Sequence, residues 1–195
     1  MGIKPASRPM ITLSELNELL KMKAGGKKLS PVAIVGIRGY YLNTMGKPGQ
    51  NDRGIYDDAV LVISPTTYTT FNANTDPSAY RKGKGKGLAK GMARLKEGVW
   101  KYQLGLHKGQ YMALRQAAPV TVIRDGTPDY EDSGMFGINI HRGGIARTSS
   151  LGCQTIPPDQ WDQFINLVKA ELKRHGQKTL DYVLIDSLNS RVDRS

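Results

Sequence analysis

Hydrophobic positions change their period along this chain, and each change marks an element. Leu13, Leu16, Leu19 and Leu20 recur at three- and four-residue steps, so they share one helical face. Thr12 and Glu15 stand three apart ahead of that stripe. This is the spacing at which two side chains can each take the other's backbone N–H. A helix over residues 13–23 is predicted, ended by Gly25 and Gly26. The pattern then shortens into apolar runs at 32–37, 59–63 and 68–71, which read as strands. Between the first two lies N-T-M-G-K-P-G-Q-N-D-R-G, residues 43–54, whose Gly, Asn and Pro mark a long loop. Further strands are expected at 98–106 and 120–124, with a turn over 125–129, and at 136–140, an alternating run ending on His141.

Helical spacing returns only once. Trp161, Phe164, Ile165, Val168 and Leu172 form one apolar face behind Pro157-Pro158-Asp159, a starting signal with proline at the first turn. Lys173, Arg174 and His175 suit the negative C-terminal end of such a helix, and Gly176 can close it. A last strand is expected at 182–185. Strands dominate and helices are few, so the fold class expected is mainly β, of the α+β kind. The expected organisation is an N-terminal helical extension over 1–30 packed on one domain over 31–186, with a polar tail over 187–195.

Composition adds a soluble, folded chain with 39% hydrophobic and 23% charged residues. Charge adds a partner class. Lys and Arg number 28 against 17 Asp and Glu, a net charge of +11 that favours a polyanion: nucleic acid, an anionic envelope polymer or a membrane surface. Much of it sits in R-K-G-K-G-K-G-L-A-K-G, residues 81–91, expected to be a mobile solvated loop. That run lacks the G-x-x-x-x-G-K-[ST] order of a nucleotide-binding loop. No apolar run reaches the roughly 18–20 residues of a membrane span. M-G-I-K-P-A-S-R-P-M has no apolar stretch behind its basic residues, so a chain made in the cytoplasm without a signal peptide is expected. The single cysteine rules out an internal disulfide and a multi-thiolate metal site, and no H-E-x-x-H spacing joins His107, His141 and His175. Neither a metal nor a cofactor is expected.

The candidate chemistry lies in N-I-H-R-G-G-I-A-R-T-S-S-L-G-C-Q-T, residues 139–155. A lone cysteine is often a small buried hydrophobe, and a lone histidine is often structural. Against that stands the local composite: His141 ends a strand, eleven residues loop back, and Cys153 precedes a helix. A thiol with its ordinary pKa near 8.5 is a few per cent ionised at neutral pH, and an adjacent imidazole that takes its proton makes it a strong nucleophile. Gly152 lets the backbone approach closely, and the N–H of Cys153 with that of Gly152 or a neighbour is the expected oxyanion hole. The carbonyl of Arg142 can orient the imidazole of His141, and its guanidinium can hold an anionic substrate group. His107 can line the same cleft or be structural. Tyr111 and Arg115 can bind a substrate carboxylate or be helix-surface residues. The sulfur of Cys153 is expected within a few ångströms of an imidazole nitrogen.

Ser150-Leu-Gly152-Cys153, preceded by Ile140-His141 and followed by a helix and a strand, resembles the signature of the L,D-transpeptidase (YkuD-type) catalytic domain. The run G-I-N-I-H…T-S-S-L-G-C-Q-T is similar to a branch of that fold in bacteriophage lysis and virion proteins. The resemblance implies a β-sandwich or barrel, Cys153 as nucleophile, His141 as base, Ser150 beside the substrate, and peptidoglycan stem peptides as substrate. Leu151 stands where the family's motif has a second histidine, which suits water as the acceptor at least as well as an amine. The function expected is therefore an endolysin-like cysteine peptidase of peptidoglycan, attracted to anionic envelope polymers and acting on the cell wall after release, or carried in the virion. The alternatives are an L,D-transpeptidase that forms cross-links and a non-enzymatic nucleic-acid or envelope-binding module. Nucleic-acid binding is not expected, because the few aromatic residues are not interleaved with the lysine run.

Overall fold

The computed structural model describes residues 2–23, 27–83 and 90–187. Its chain order is α1 (Leu13–Lys23), β1 (Ala33–Arg38), β2 (Asp58–Ser64), β3 (Thr67–Ala73), β4 (Ala93–Leu95), β5 (Gly98–His107), β6 (Tyr111–Gln116), β7 (Val120–Arg124), β8 (Tyr130–Gly134), β9 (Ile140–Arg142), β10 (Gln154–Ile156), α2 (Pro158–Arg174) and β11 (Thr179–Asp186). The molecule is mainly β with a nearly closed, barrel-like sheet. Eight strands form that sheet in the order β10-β9-β6-β5-β11-β1-β2-β3, and β4-β7-β8 form a second, smaller sheet. The large sheet nearly closes because Asn74, just after β3, exchanges backbone hydrogen bonds of 2.9 and 2.8 Å with Thr155 of β10. Its two edges are thereby brought together, which removes much of the unpaired backbone an open sheet would present.

Strand β1 runs parallel to β11 and antiparallel to β2, and all six of its residues are buried. Alternate side chains of a strand point to opposite faces. Ile34 therefore joins the main core with Val60, Phe71, Tyr102, Leu114, Ile140 and Tyr182, whereas Val35 and Ile37 join Leu61, Val183 and Ile185 on the other face. Helix α1 covers that second face through Leu16, which is fully buried. Its cap is the reciprocal one expected: Thr12 N–H donates to Glu15 at 2.7 Å, and Glu15 N–H donates to the Thr12 hydroxyl at 3.2 Å. Helix α2 packs Trp161, Phe164, Ile165, Val168 and Leu172 into the main core, with Phe164 edge-on to Phe71 at 5.3 Å. Asp159 forms no side-chain cap there; Pro157 is the N-cap residue. Gly176, at φ 60°, closes the other end.

Where β1 ends, Arg38 is buried among carboxylates. Its guanidinium meets Asp76 at 3.2 Å and Asp186 at 3.8 Å and donates to the carbonyls of Thr75 and Leu95. Asp58 accepts from Gly39 N–H and from the backbone and hydroxyl of Thr75. One side chain thus ties the large sheet to β4 of the small one.

Several expectations are corrected. Residues 136–139 are not laddered as a strand; β9 begins at Ile140, and the Gln116 carboxamide accepts the N–H groups of both Phe136 and Ile138 at 3.1 Å. A side chain there does the work of a neighbouring strand. Tyr111 and Arg115 lie on strand β6, not on a helix. Residues 84–89 of the basic run and 188–195 of the tail lie outside the described residues. Among the described residues no helix is long and apolar enough to cross a membrane.

Candidate active site

Strand register assembles the site. Strand β9 pairs with β10 in parallel, with His141 opposite Thr155, and with β6 through Leu114 opposite Ile140. On β5 and β6, His107 is opposite Tyr111. Residues two apart share a face, so His107, Tyr111, Ala113, Arg115 and His141 fall on one face of three neighbouring strands, β5, β6 and β9, with Asn139 just ahead of β9. Cys153 reaches that assembly through the backbone of Asn139. Its sulfur accepts the Asn139 N–H at 3.4 Å and donates to Gly137 O at 3.4 Å.

The turn before the cysteine is fixed by one hydroxyl. Ser150 Oγ donates to Cys153 O at 2.6 Å and accepts Gly152 N–H at 2.9 Å. Ser78 holds the turn from behind, exchanging hydrogen bonds with the Ser150 backbone at 2.6 and 2.8 Å. A Cβ at Gly152 would lie 2.5 Å from Ala93 O, so only glycine lets this turn pack against β4. Two expected roles change as a result. Ser150 is 3% exposed with its hydroxyl engaged inside the protein, so it holds the turn ahead of Cys153 and does not face an open cleft. The Gly152 N–H is taken by Ser150, whereas the Cys153 N–H forms no hydrogen bond among the described residues and is the donor left for an oxyanion.

His141 is 6% exposed, and its Nδ1 lies 2.8 Å from Arg142 O. A carbonyl oxygen only accepts, so Nδ1 carries the proton and Nε2 holds a lone pair. Burial lowers the His141 pKa to about 4, with the Arg142 bond opposing and His107 and Lys108 adding to the fall. His107 stacks on His141 with ring centroids 4.2 Å apart, and the Asn139 side-chain amide meets its Nδ1 at 3.2 Å. Burial lowers the His107 pKa as well. Tyr111 packs beside His107 at 5.6 Å and edge-on to Trp161 at 6.0 Å, and the exposed Arg142 guanidinium lies 5.3 Å over its ring.

Cys153 immediately precedes β10 and His141 lies on the neighbouring β9, but no hydrogen bond joins them among the described residues; the sulfur is held by Gly137 and Asn139. Burial also raises the thiol pKa. The resting pair is a neutral thiol and a neutral imidazole, not the ion pair the sequence suggested. Chemically, such a pair suits general-base catalysis, in which an imidazole takes the proton as the sulfur attacks.

Asn139 is the residue that sequence reasoning missed. It links Cys153, His107 and Gln154 by its N–H, its side chain and its carbonyl. Its place two residues before His141 was the only hint in the sequence, and its contacts come from the pairing of β9 with β10. Behind the Ser150 turn, Met92, Arg147, Ser149 and Leu151 line part of a cavity of about 440 Å³. Among the described residues no group of three or more His, Cys, Asp or Glu is arranged to hold a metal ion. Compared with protein-family models, curated proteins and solved structures, the chain gives no match to any of them.

Proposed function

We propose that the protein is a cysteine-dependent amide hydrolase acting on peptidoglycan stem peptides. The observation that carries the reading is the His141–Arg142 hydrogen bond, which leaves Nε2 free as a base on the strand beside Cys153. In this mechanism the thiol turns away from Gly137 O, gives its proton to Nε2 and attacks an amide carbonyl. The Cys153 N–H stabilises the oxygen that gains charge, and the imidazolium protonates the departing amine. Water, deprotonated by the same imidazole, then opens the thioester and restores the thiol. Catalytic hydrogen bonds commonly form only with substrate bound.

The substrate class rests on the Ser150–Cys153 motif and its resemblance to L,D-transpeptidase domains. The net charge of +11 supports attraction to the anionic envelope. Phage-type use, with action after release from the cell or from a virion, follows from the same resemblance. Transfer to an amine instead of water is the second reading, favoured by the parent family's chemistry. Incubating purified sacculi with the protein and a labelled D-amino acid separates the two. Net loss of cross-links without label uptake is expected; incorporation of the label would replace hydrolysis with transfer.

A further inference from the structure

The turn between β5 and β6 holds a residue that its geometry disfavours. His107-Lys108-Gly109-Gln110 is closed by Gln110 N–H to His107 O at 2.9 Å, with φ 50° at Lys108 and 72° at Gly109. Two-residue hairpin turns with both central φ values positive favour Asn or Asp before Gly, whose short polar side chains tolerate that conformation. Lysine has no such compensation, yet it stands here beside the buried histidine pair. Strained residues of this kind gather at functional sites. The Lys108 charge acts on His107, His141 and Cys153 alike, so the ammonium is within electrostatic reach of the whole cluster. Arg142 is exposed and lies over the ring of Tyr111, the residue opposite His107. Neither cation forms an ion pair among the described residues, although Arg53, Lys90, Lys96, Lys101 and Arg124 all do.

We infer that Lys108 and Arg142 form an anion subsite over Tyr111 that holds a substrate carboxylate beside Cys153. The inference rests on the amide-hydrolase reading and narrows it to acidic stem peptides, those whose carboxyl groups are free and not amidated. Arg142 supplies a planar fork for the carboxylate, Lys108 a mobile point charge, and the Tyr111 ring keeps the guanidinium extended. Lys108 is thus a binding residue held at some expense to its own turn.

The test uses full-length protein with Cys153→Ala, which binds without turnover, and two synthetic stem peptides differing only in free or amidated carboxyl groups. Calorimetry at low salt should show the acidic peptide binding about tenfold more tightly, as loss of a charge-assisted contact predicts. Adding Lys108→Asn or Arg142→Gln should each remove most of that preference. Lys108→Asn should at the same time raise the melting temperature, since asparagine suits the turn, which a purely structural lysine would not do while also losing the ligand. Equal binding of the two peptides, no binding of either, or a preference that survives both substitutions overturns the subsite. Cleavage by the wild type is followed in parallel: a bound acidic peptide left uncut defeats hydrolysis alone, and cleavage without acidic preference defeats the subsite alone.

Discussion

His141 shows how one backbone carbonyl decides the chemistry of a side chain. With Nδ1 committed to Arg142 O, the imidazole is useful only while Nε2 is bare, and burial keeps it so down to a pKa of about 4. The folded value lies below the ordinary 6.5, so the unfolded chain binds the proton more readily between those limits. Stability is therefore fully present above pH 6.5 and is lost as pH falls towards 4, by on the order of 3 kcal/mol from this residue. His141→Gln should flatten that segment of a stability-against-pH curve from chemical denaturation; an unchanged acid slope would show that His141 is not buried neutral. Activity should follow the same group. The acid limb of kcat/KM is expected near pH 4 and not near 6.5, since free-enzyme pKa values govern that limb. Iodoacetamide should label Cys153 slowly at neutral pH and faster above the ordinary thiol range, because burial raises this thiol.

At the scale of elements, the position of Cys153 depends on a turn that tolerates no added atom. Gly152→Ala would drive a Cβ into Ala93 O of β4, a contact with backbone that cannot swing aside. A loss of about 1–3 kcal/mol in denaturant unfolding is expected, with activity falling further than stability because Cys153 is displaced. Ser150→Ala tests the turn more gently, leaving Gly152 N–H and Cys153 O without their shared hydroxyl. Much of this architecture was legible in the sequence. The Thr12–Glu15 cap, the apolar stripe of α2 and the buried run of β1 are written in local periodicity, and the structure has them where that periodicity puts them. Strands β4, β6, β8 and β10 were not legible. β6 and β8 are hairpin partners of β5 and β7 with little clean alternation of their own, and three-residue β4 and β10 are too short to carry a period. Residues 136–139 mimic a strand by alternation while their N–H groups go to Gln116. In the same way, His141 and Cys153 were visible as residue types, but Asn139 and the His107 stack became evident only through cross-strand register.

The whole molecule joins two sheets through a buried charge cluster on the side of β1 where Arg38 lies. Burial first, then neighbouring carboxylates, raises both Asp57 and Asp58 above the ordinary carboxylate range. A raised folded value means that the native state keeps a proton the unfolded chain has lost. The stability this gives is complete below the ordinary carboxylate pKa and fades as pH rises, ending where Asp57 ionises at about 9. Asp57→Asn should remove that alkaline decline in thermal melts; a decline of the same size in the variant would place its origin elsewhere. The proposed hydrolysis belongs to this scale too, because it relies on the sheet holding β9 and β10 side by side. The most direct test is digestion of purified sacculi followed by mass spectrometry of the soluble muropeptides, comparing the wild type with folded Cys153→Ala and His141→Gln. The wild type should release stem peptides cut at one amide bond, and either substitution should lower that release by at least about a thousandfold, since nucleophile and base act as a unit. Undiminished release by Cys153→Ala, or intact sacculi after treatment with the wild type, would contradict the account.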